Sequence, residues 1–215
     1  MPTLVFVEGA EGTIKKTSLE AVAYAHALGG PVTAIALGEV DKAALEALGK
    51  YGANKVLHAT DPKLNKGIIQ VFASVLSKAM QDEQADILVI ASSSLGTPVA
   101  ARVAAKVGAS LAANIIALPD TSSGFIIKRS IYSGKAVAFV ELKNQKKVLV
   151  LKKNAAEAKE VGAPVQVTPY TVSLADTDFS VTITSSEQAT GEVLLPEANI
   201  VVSGGRGMKG PEHWG

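Results

Sequence analysis

The sequence predicts a doubly wound α/β domain: a mainly parallel sheet with helices on both faces, extended by antiparallel edge strands after about residue 124. Three observations predict it. Short runs rich in β-branched residues alternate through the first half with Ala-rich stretches of helical spacing. The runs are almost continuously apolar, as strands are when helices cover both faces of a parallel sheet. From Gly124 onward, short turns replace the helical stretches between the runs, and this is how antiparallel strands are joined.

The elements follow in order. Strands are expected at residues 4–7, 32–37, 55–58 and 87–91, with helices at 17–28, 42–50, 67–81 and 98–107 between and after them. In the third helix Ile68, Val71, Phe72, Val75 and Leu76 fall at i, i+3, i+4, i+7 and i+8, an apolar stripe turned to the sheet. Pro98 suits a first helical turn, and Gly108 after Lys106–Val107 reads as a stop. Repeated β–α–β units of this length imply right-handed crossovers. Beyond them, runs at 125–132, 135–142 and 146–151 are joined by Ser133–Gly134 and Asn144–Gln145. They read as a meander adding antiparallel edge strands to the sheet. Residues 155–163 are polar and read as a loop, while 165–174 and 179–185 are further strand candidates. After Ser186–Glu187 a short polar linker leads to a fresh strand at 199–202, which runs into Ser203-Gly204-Gly205-Arg206-Gly207. The expected division is an α/β domain over 1–187, followed by a linker and the opening of a second domain over 188–215.

Composition narrows the chemistry. At roughly 150 residues per domain, 215 residues amount to about 1.4 domains. A 47% hydrophobic chain with 19% charged residues and a mean hydropathy of +0.26 is able to bury a core. Its net charge of +1 argues against a nucleic-acid or anionic-membrane surface. Cysteine is absent, which excludes disulfides, thiolate catalysis and iron–sulfur ligation. No apolar run reaches the ~18 residues of a membrane span, and the expectation is a soluble, cytoplasmic protein.

Three motifs carry candidate chemistry. In the segment from Ser203 to Lys209, glycines let backbone N–H groups approach a phosphate and Arg206 is placed to pair with its charge. The same pattern serves an ordinary strand-to-helix turn, and the spacing of a dinucleotide fingerprint or a P-loop is missing. Ser92-Ser93-Ser94-Leu95-Gly96-Thr97-Pro98 follows a strand and opens a helix. Doubly wound sheets bind ligands at such a place, although capping by Ser94 or Thr97 is the plainer reading. Glu8-Gly9-Ala10-Glu11-Gly12-Thr13 carries two acids that would repel a phosphate, so a simple loop is favoured. His26, His58 and His213 have no ligand partner at i+3 or i+4, and no metal site is expected. No catalytic triad or paired carboxylates can be assembled from spacing alone, and no catalytic residue is assigned.

The stretch from Asn199 through Ser203-Gly204-Gly205-Arg206-Gly207 to Trp214 resembles the electron-transfer flavoprotein family, on its α-subunit side. Residues 86–98, 100–108 and 129–136 support the resemblance in the same order along the chain. It implies an adenine-nucleotide-hydrolase-like fold for the first domain, acting as a scaffold. It also implies a heterodimer with a β subunit holding one FAD. That complex accepts electrons from dehydrogenases, such as the acyl-CoA dehydrogenases of fatty acid oxidation, and passes them to a quinone reductase. An electron carrier of this kind has no substrate-converting catalysis of its own. Within the resemblance Arg206 contacts FAD, and Ser203, Gly204, Gly205 and Gly207 shape the turn. Family members continue into a further domain with another arginine, a Gln-Thr turn and a Ser–His region, none of which is in this sequence. A cofactor as large as FAD needs a cleft burying most of its surface, so the chain as given is expected to hold no FAD. Contacts with dehydrogenases and the reductase would be transient, without nucleic acid and without membrane insertion. The apolar face meant for the β subunit would favour self-association in its absence. Two alternatives stand beside this reading. One is a stand-alone AMP- or ATP-binding module using residues 92–97. The other is a hydrolase of adenine nucleotides, for which the early loop at Glu8 has the wrong charge.

Overall fold

A computed structural model of the chain describes residues 1–10, 12–185, 198 and 200–213. It divides into two units, Met1–Thr182 and Ile183–Gly215, and each is taken by itself. The expected boundary at residue 187 lies outside the described residues.

The apolar runs of the first unit form strands because they bury both faces at once. β1 (Thr3–Val7) is buried at every position and leads through a two-rung hairpin, β2 (Gly9–Ala10) and β3 (Thr13–Ile14), into α1 (Lys16–Ala27). β4 (Val32–Leu37), α2 (Lys42–Glu46), β5 (Lys55–Ala59) and α3 (Ile69–Asp82) follow, then β6 (Ile87–Ala91) and α4 (Gly96–Val107). Gly108 ends α4 in the left-handed conformation, φ +64°, as a helix stop does. β7 (Ser110–Ile115), β8 (Ile126–Ile131), β9 (Ala136–Glu141), β10 (Lys147–Leu151) and a short β11 (Val167–Pro169) complete the unit.

Nine of these strands form one sheet in the order β11-β5-β4-β1-β6-β10-β7-β8-β9. From β11 to β7 neighbours run parallel. β8 is antiparallel to β7, and β9 to β8. The pleat sorts side chains to two cores. Leu4, Phe6, Leu88, Ile90, Val148 and Val150 join the apolar stripe of α3 and the inner face of α4. Val5, Val7, Val89, Leu149 and Leu151 join Ala21, Val22 and Tyr24 of α1. Phe6 and Phe72 meet edge to face, centroids 5.7 Å apart.

The first half matches the expected alternation closely. One helix is shorter than expected: α2 stops at Glu46, and Ala47–Tyr51 tightens into a 3-10 turn ending at Gly52, φ +104°. A side chain on Gly49 would stand 2.4 Å from the Ala163 carbonyl oxygen, so the loop of residues 155–163 presses directly on this turn.

The second half departs from expectation in four places. Residues 147–151 do not form an antiparallel edge strand. β10 lies in mid-sheet, parallel to β6 and β7, because five consecutive buried residues need cover on both faces. Its one charge, Lys147, is satisfied by the carbonyls of Asn144 at 2.8 Å and Gln145 at 3.0 Å, and it lies over the Phe125 ring. β7 is a strand where none was expected; Asn114, at φ +59°, interrupts it. Of residues 165–174 only Val167–Pro169 pairs. Residues 179–185 contain no strand, and Asp176–Phe179 forms a 3-10 turn instead. This tail bonds to α3: the Tyr170 hydroxyl donates to Asp82 at 2.8 Å and the Ser74 hydroxyl to Asp178 at 2.5 Å.

In the second unit, the strand expected at 199–202 is not formed at Ile200, Val201 and Val202, which are exposed, irregular chain. Asn199 lies outside the described residues. Two 3-10 turns follow, Arg206–Met208 and Pro211–His213.

Candidate functional site

Two places hold the parts of an anion site. The first is where the strand order reverses, between β1 and β6. From β1 the chain crosses to β4 on one side, whereas from β6 it continues to the other side of the sheet. In open α/β sheets ligands bind just beyond the carboxyl ends of the strands at such a point.

Glu8 stands there, immediately after β1, and is only 7% exposed. Its N–H donates to the buried Ser18 hydroxyl at 2.9 Å. One carboxylate oxygen pairs with the Lys15 ammonium at 2.9 Å, and the other accepts a short hydrogen bond from the Ser93 hydroxyl. The Ser93 oxygen in turn accepts the Gly96 N–H at 2.6 Å. The result is a relay from the first turn of α4, through Ser93, to a carboxylate. That orientation is favourable because a helix N-terminus carries partial positive charge. Gly96 is required by close approach: a Cβ there would stand 2.6 Å from the Ala91 carbonyl oxygen, 2.8 Å from Ile90 Cγ2 and 3.0 Å from Glu8 Oε1.

The expected cap by Ser94 or Thr97 is corrected. Both are exposed, and the Thr97 hydroxyl lies only near Ser92, at 3.4 Å. Ser93 does the capping because it stands three residues before the N–H it receives, the spacing a capping side chain needs. Sequence reasoning missed both Ser93 and the part Glu8 plays. The three-residue spacing from Ser93 to Gly96 was the available signal for the former. The pairing of Glu8 with Ser93 spans 85 positions and had none.

The second place is the turn at Arg206. Ser203, Gly204 and Gly205 lead into it as exposed, irregular chain, and Arg206 and Gly207 begin the 3-10 turn. The Met208 N–H donates to the Gly205 carbonyl at 3.0 Å and closes it. Thus the structure keeps the five residues together by chain continuity, all solvent-facing. A Cβ on Gly205 or Gly207 would meet nothing within 4 Å, so no packing in the described chain demands glycine there. Arg206 forms no ion pair with another described residue. A free guanidinium beside open backbone can engage a phosphate bidentately. The described residues around it supply no walls, so they fit the charged part of a dinucleotide cofactor and not its rings.

Each histidine has a neighbour of its own. His58 Nε2 lies 2.8 Å from the Gly38 carbonyl oxygen, the exposed His26 packs against Gly52, and His213 lies 3.5 Å from Glu212. Among the described residues no three His, Asp or Glu side chains gather as metal ligands would. The shifted titrations have structural causes elsewhere. Burial pushes the Tyr24 hydroxyl up, and it donates to the Ala117 carbonyl at 3.0 Å. Burial, with Asp82 beside it, pushes Tyr170 up. Lys78, and then Tyr170, hold the Asp82 carboxyl below its usual range. Among the described residues no helix is long and apolar enough to cross a membrane.

Comparison with known proteins agrees with this architecture. The family model of the electron transfer flavoprotein domain matches residues 3–177. The electron transfer flavoprotein subunit alpha of Bacillus subtilis is 27% identical over 212 residues, 97% of this chain and 65% of the relative. The subunit of the same name from Syntrophomonas wolfei is 28% identical over 98% of this chain and 67% of its own length. A yeast protein named as a probable mitochondrial electron transfer flavoprotein subunit alpha is 28% identical, over 62% of its length. The chain therefore spans about two thirds of the relatives it matches. With the family's domain covering most of its length, this chain belongs to the electron transfer flavoprotein family, where it is similar to the alpha subunits.

Proposed function

We propose that the chain works as the α-subunit side of an electron-carrying heterodimer. With a β subunit and FAD it would accept electrons from dehydrogenases, such as acyl-CoA dehydrogenases, and pass them to a quinone reductase. The observation that carries this reading is Arg206: an exposed guanidinium in a glycine-flanked turn, without an ion-pair partner among the described residues, in a chain of this family. Residues 1–187 serve as scaffold and residues 188–215 meet the cofactor. When bound, the flavin supplies the redox chemistry. Arg206 would hold the negative charge of its phosphates, while Gly204, Gly205 and Gly207 keep side chains out of the backbone's approach and Ser203 opens the turn. No group of this chain converts a substrate. The proposed location is the cytoplasm, although the yeast relative is named as mitochondrial.

The chain alone is not proposed to retain FAD, because a single exposed arginine turn gives the flavin rings nothing to pack against. The test is co-expression with an electron transfer flavoprotein β subunit, followed by size exclusion with flavin absorbance recorded. Co-elution of the two chains is expected. Persistent separation would overturn the partner assignment, and stoichiometric flavin on this chain alone would overturn the statement on retention.

The alternative, a stand-alone AMP- or ATP-binding module, would put a phosphate where the Glu8 carboxylate already sits. It calls for micromolar nucleotide binding by calorimetry, where the carrier reading expects no heat.

A further inference from the structure

The nine-stranded sheet ends differently on its two sides. β11 is three residues long and finishes on Pro169, a blunt edge of the kind that discourages further pairing. β9 is six residues long, Ala-Val-Ala-Phe-Val-Glu, with no proline, and no described strand lies beyond it.

The phase of the ladder shows which groups on β9 are free. Ile126 exchanges both of its backbone bonds with Asp120, on the side away from β9. The period of two then directs the backbone groups of Ile127, Arg129 and Ile131 toward their partners Val140, Ala138 and Ala136. The Leu142 N–H, which donates to the Phe125 carbonyl at 2.9 Å, keeps the same phase. The N–H and C=O groups of Val137, Phe139 and Glu141 therefore point outward from the sheet. Their side chains are open as well: Val137 is 45% exposed and Phe139 71%.

We propose that β9 pairs antiparallel with β9 of a second copy of this chain, about a twofold axis at Ala138. Outward-facing residues must meet outward-facing residues, so the allowed registers differ by two-residue steps. With the axis at Ala138, Val137 lies opposite Phe139 twice, and Glu141 faces Lys135, the turn residue just outside the strand, twice. An axis at Phe139 would set Lys135 beside Lys143 and Val137 against Glu141. An axis at Val137 would set Phe139 against Lys135. Only the register at Ala138 matches charge with charge and apolar with apolar, and a twofold interface repeats both matches. The charges are available for it. Lys135, exposed where it closes the turn before β9, has no ion pair among the described residues. Among the described residues the ion pair of Glu141 is with Lys143, at 3.9 Å and largely exposed.

The test is sedimentation velocity of the 215-residue chain over a concentration series, without a β subunit. A concentration-dependent dimer is expected. Lys135→Glu and Glu141→Lys should each weaken it about tenfold by setting like charges opposite one another, and the two changes combined should restore it. Val137→Pro removes an outward N–H and leaves the ladder to β8 intact, so it should abolish the dimer while circular dichroism is unchanged. A chain that stays monomeric throughout overturns the proposal, and so does a dimer indifferent to the single reversals or not restored by the double one. A chain that is monomeric alone yet pairs with a β subunit overturns it too, and leaves the carrier reading standing.

Discussion

The crevice at Glu8 and the turn at Arg206 are assembled from similar parts: a bend with glycine, a hydroxyl, a cation. In the crevice the parts answer one another. Lys15 and Ser93 hold the two oxygens of one carboxylate, and Gly96 feeds the first turn of α4 into Ser93. At the turn no described residue forms an ion pair with Arg206, and a Cβ on Gly205 or Gly207 would meet nothing within 4 Å. A polar group already satisfied within the chain gains little by exchanging its partner for a ligand, whereas an exposed unpaired one keeps its hydrogen-bonding capacity for another molecule. The place that topology marks for a ligand is therefore the one the chain has closed for itself.

The contrast can be broken at three points. Gly96→Ala has the largest expected effect. The added methyl meets backbone that cannot swing aside, and unfolding in urea should show a loss of about 3 kcal/mol. Glu8→Ala comes next, at about 2 kcal/mol, since it strips a charged partner from the half-buried Ser93 hydroxyl and from Lys15; Glu8→Gln should lose less, because the amide oxygen still accepts from Ser93. A Glu8→Ala chain as stable as the parent would mean that the closed crevice contributes nothing to the fold. Arg206→Ala should be the mildest for the chain itself, within about 0.5 kcal/mol of the parent. In the assembled, flavin-loaded heterodimer the same change should loosen flavin retention about tenfold, the scale of one charge-assisted contact. Thermal unfolding of the chain alone and flavin release from the complex separate the two effects. If Arg206→Ala melted the chain, the turn would be structural and the comparison would fail.

What could be read in advance followed local periodicity. The first four strands and the helices between them are each decided within about fifteen residues, and the apolar stripe from Ile68 to Leu76 needs no distant partner to be recognised. β10 shows the limit. Its apolar content was legible, but a meander of short turns suggests neighbours paired in sequence, and only the burial of all five residues places it between β6 and β7. β7 was missed because Ser110-Leu111-Ala112-Ala113-Asn114-Ile115 has neither alternation nor a β-branched run. At the sites, the negative charge of Glu8 argued against a phosphate loop, and the structure engages that carboxylate with Lys15 and Ser93. Its structural role depends on a serine 85 positions away, and no local pattern contains that distance. At Arg206 the glycine motif was legible, and the strand expected before it is not formed by the described residues.

The late arrival of β10 has a consequence for synthesis. β6 and β7 belong to the same sheet but do not touch, and the strand that fills the slot between them is followed in the chain order only after the β8–β9 hairpin. Such pairings raise contact order, which slows folding. A chain emerging from the ribosome would carry a split sheet, apolar on both sides of the gap, until residue 151 is free to enter. Nascent chains whose emerged part ends just before Lys147 should therefore be the ones that engage chaperones most strongly.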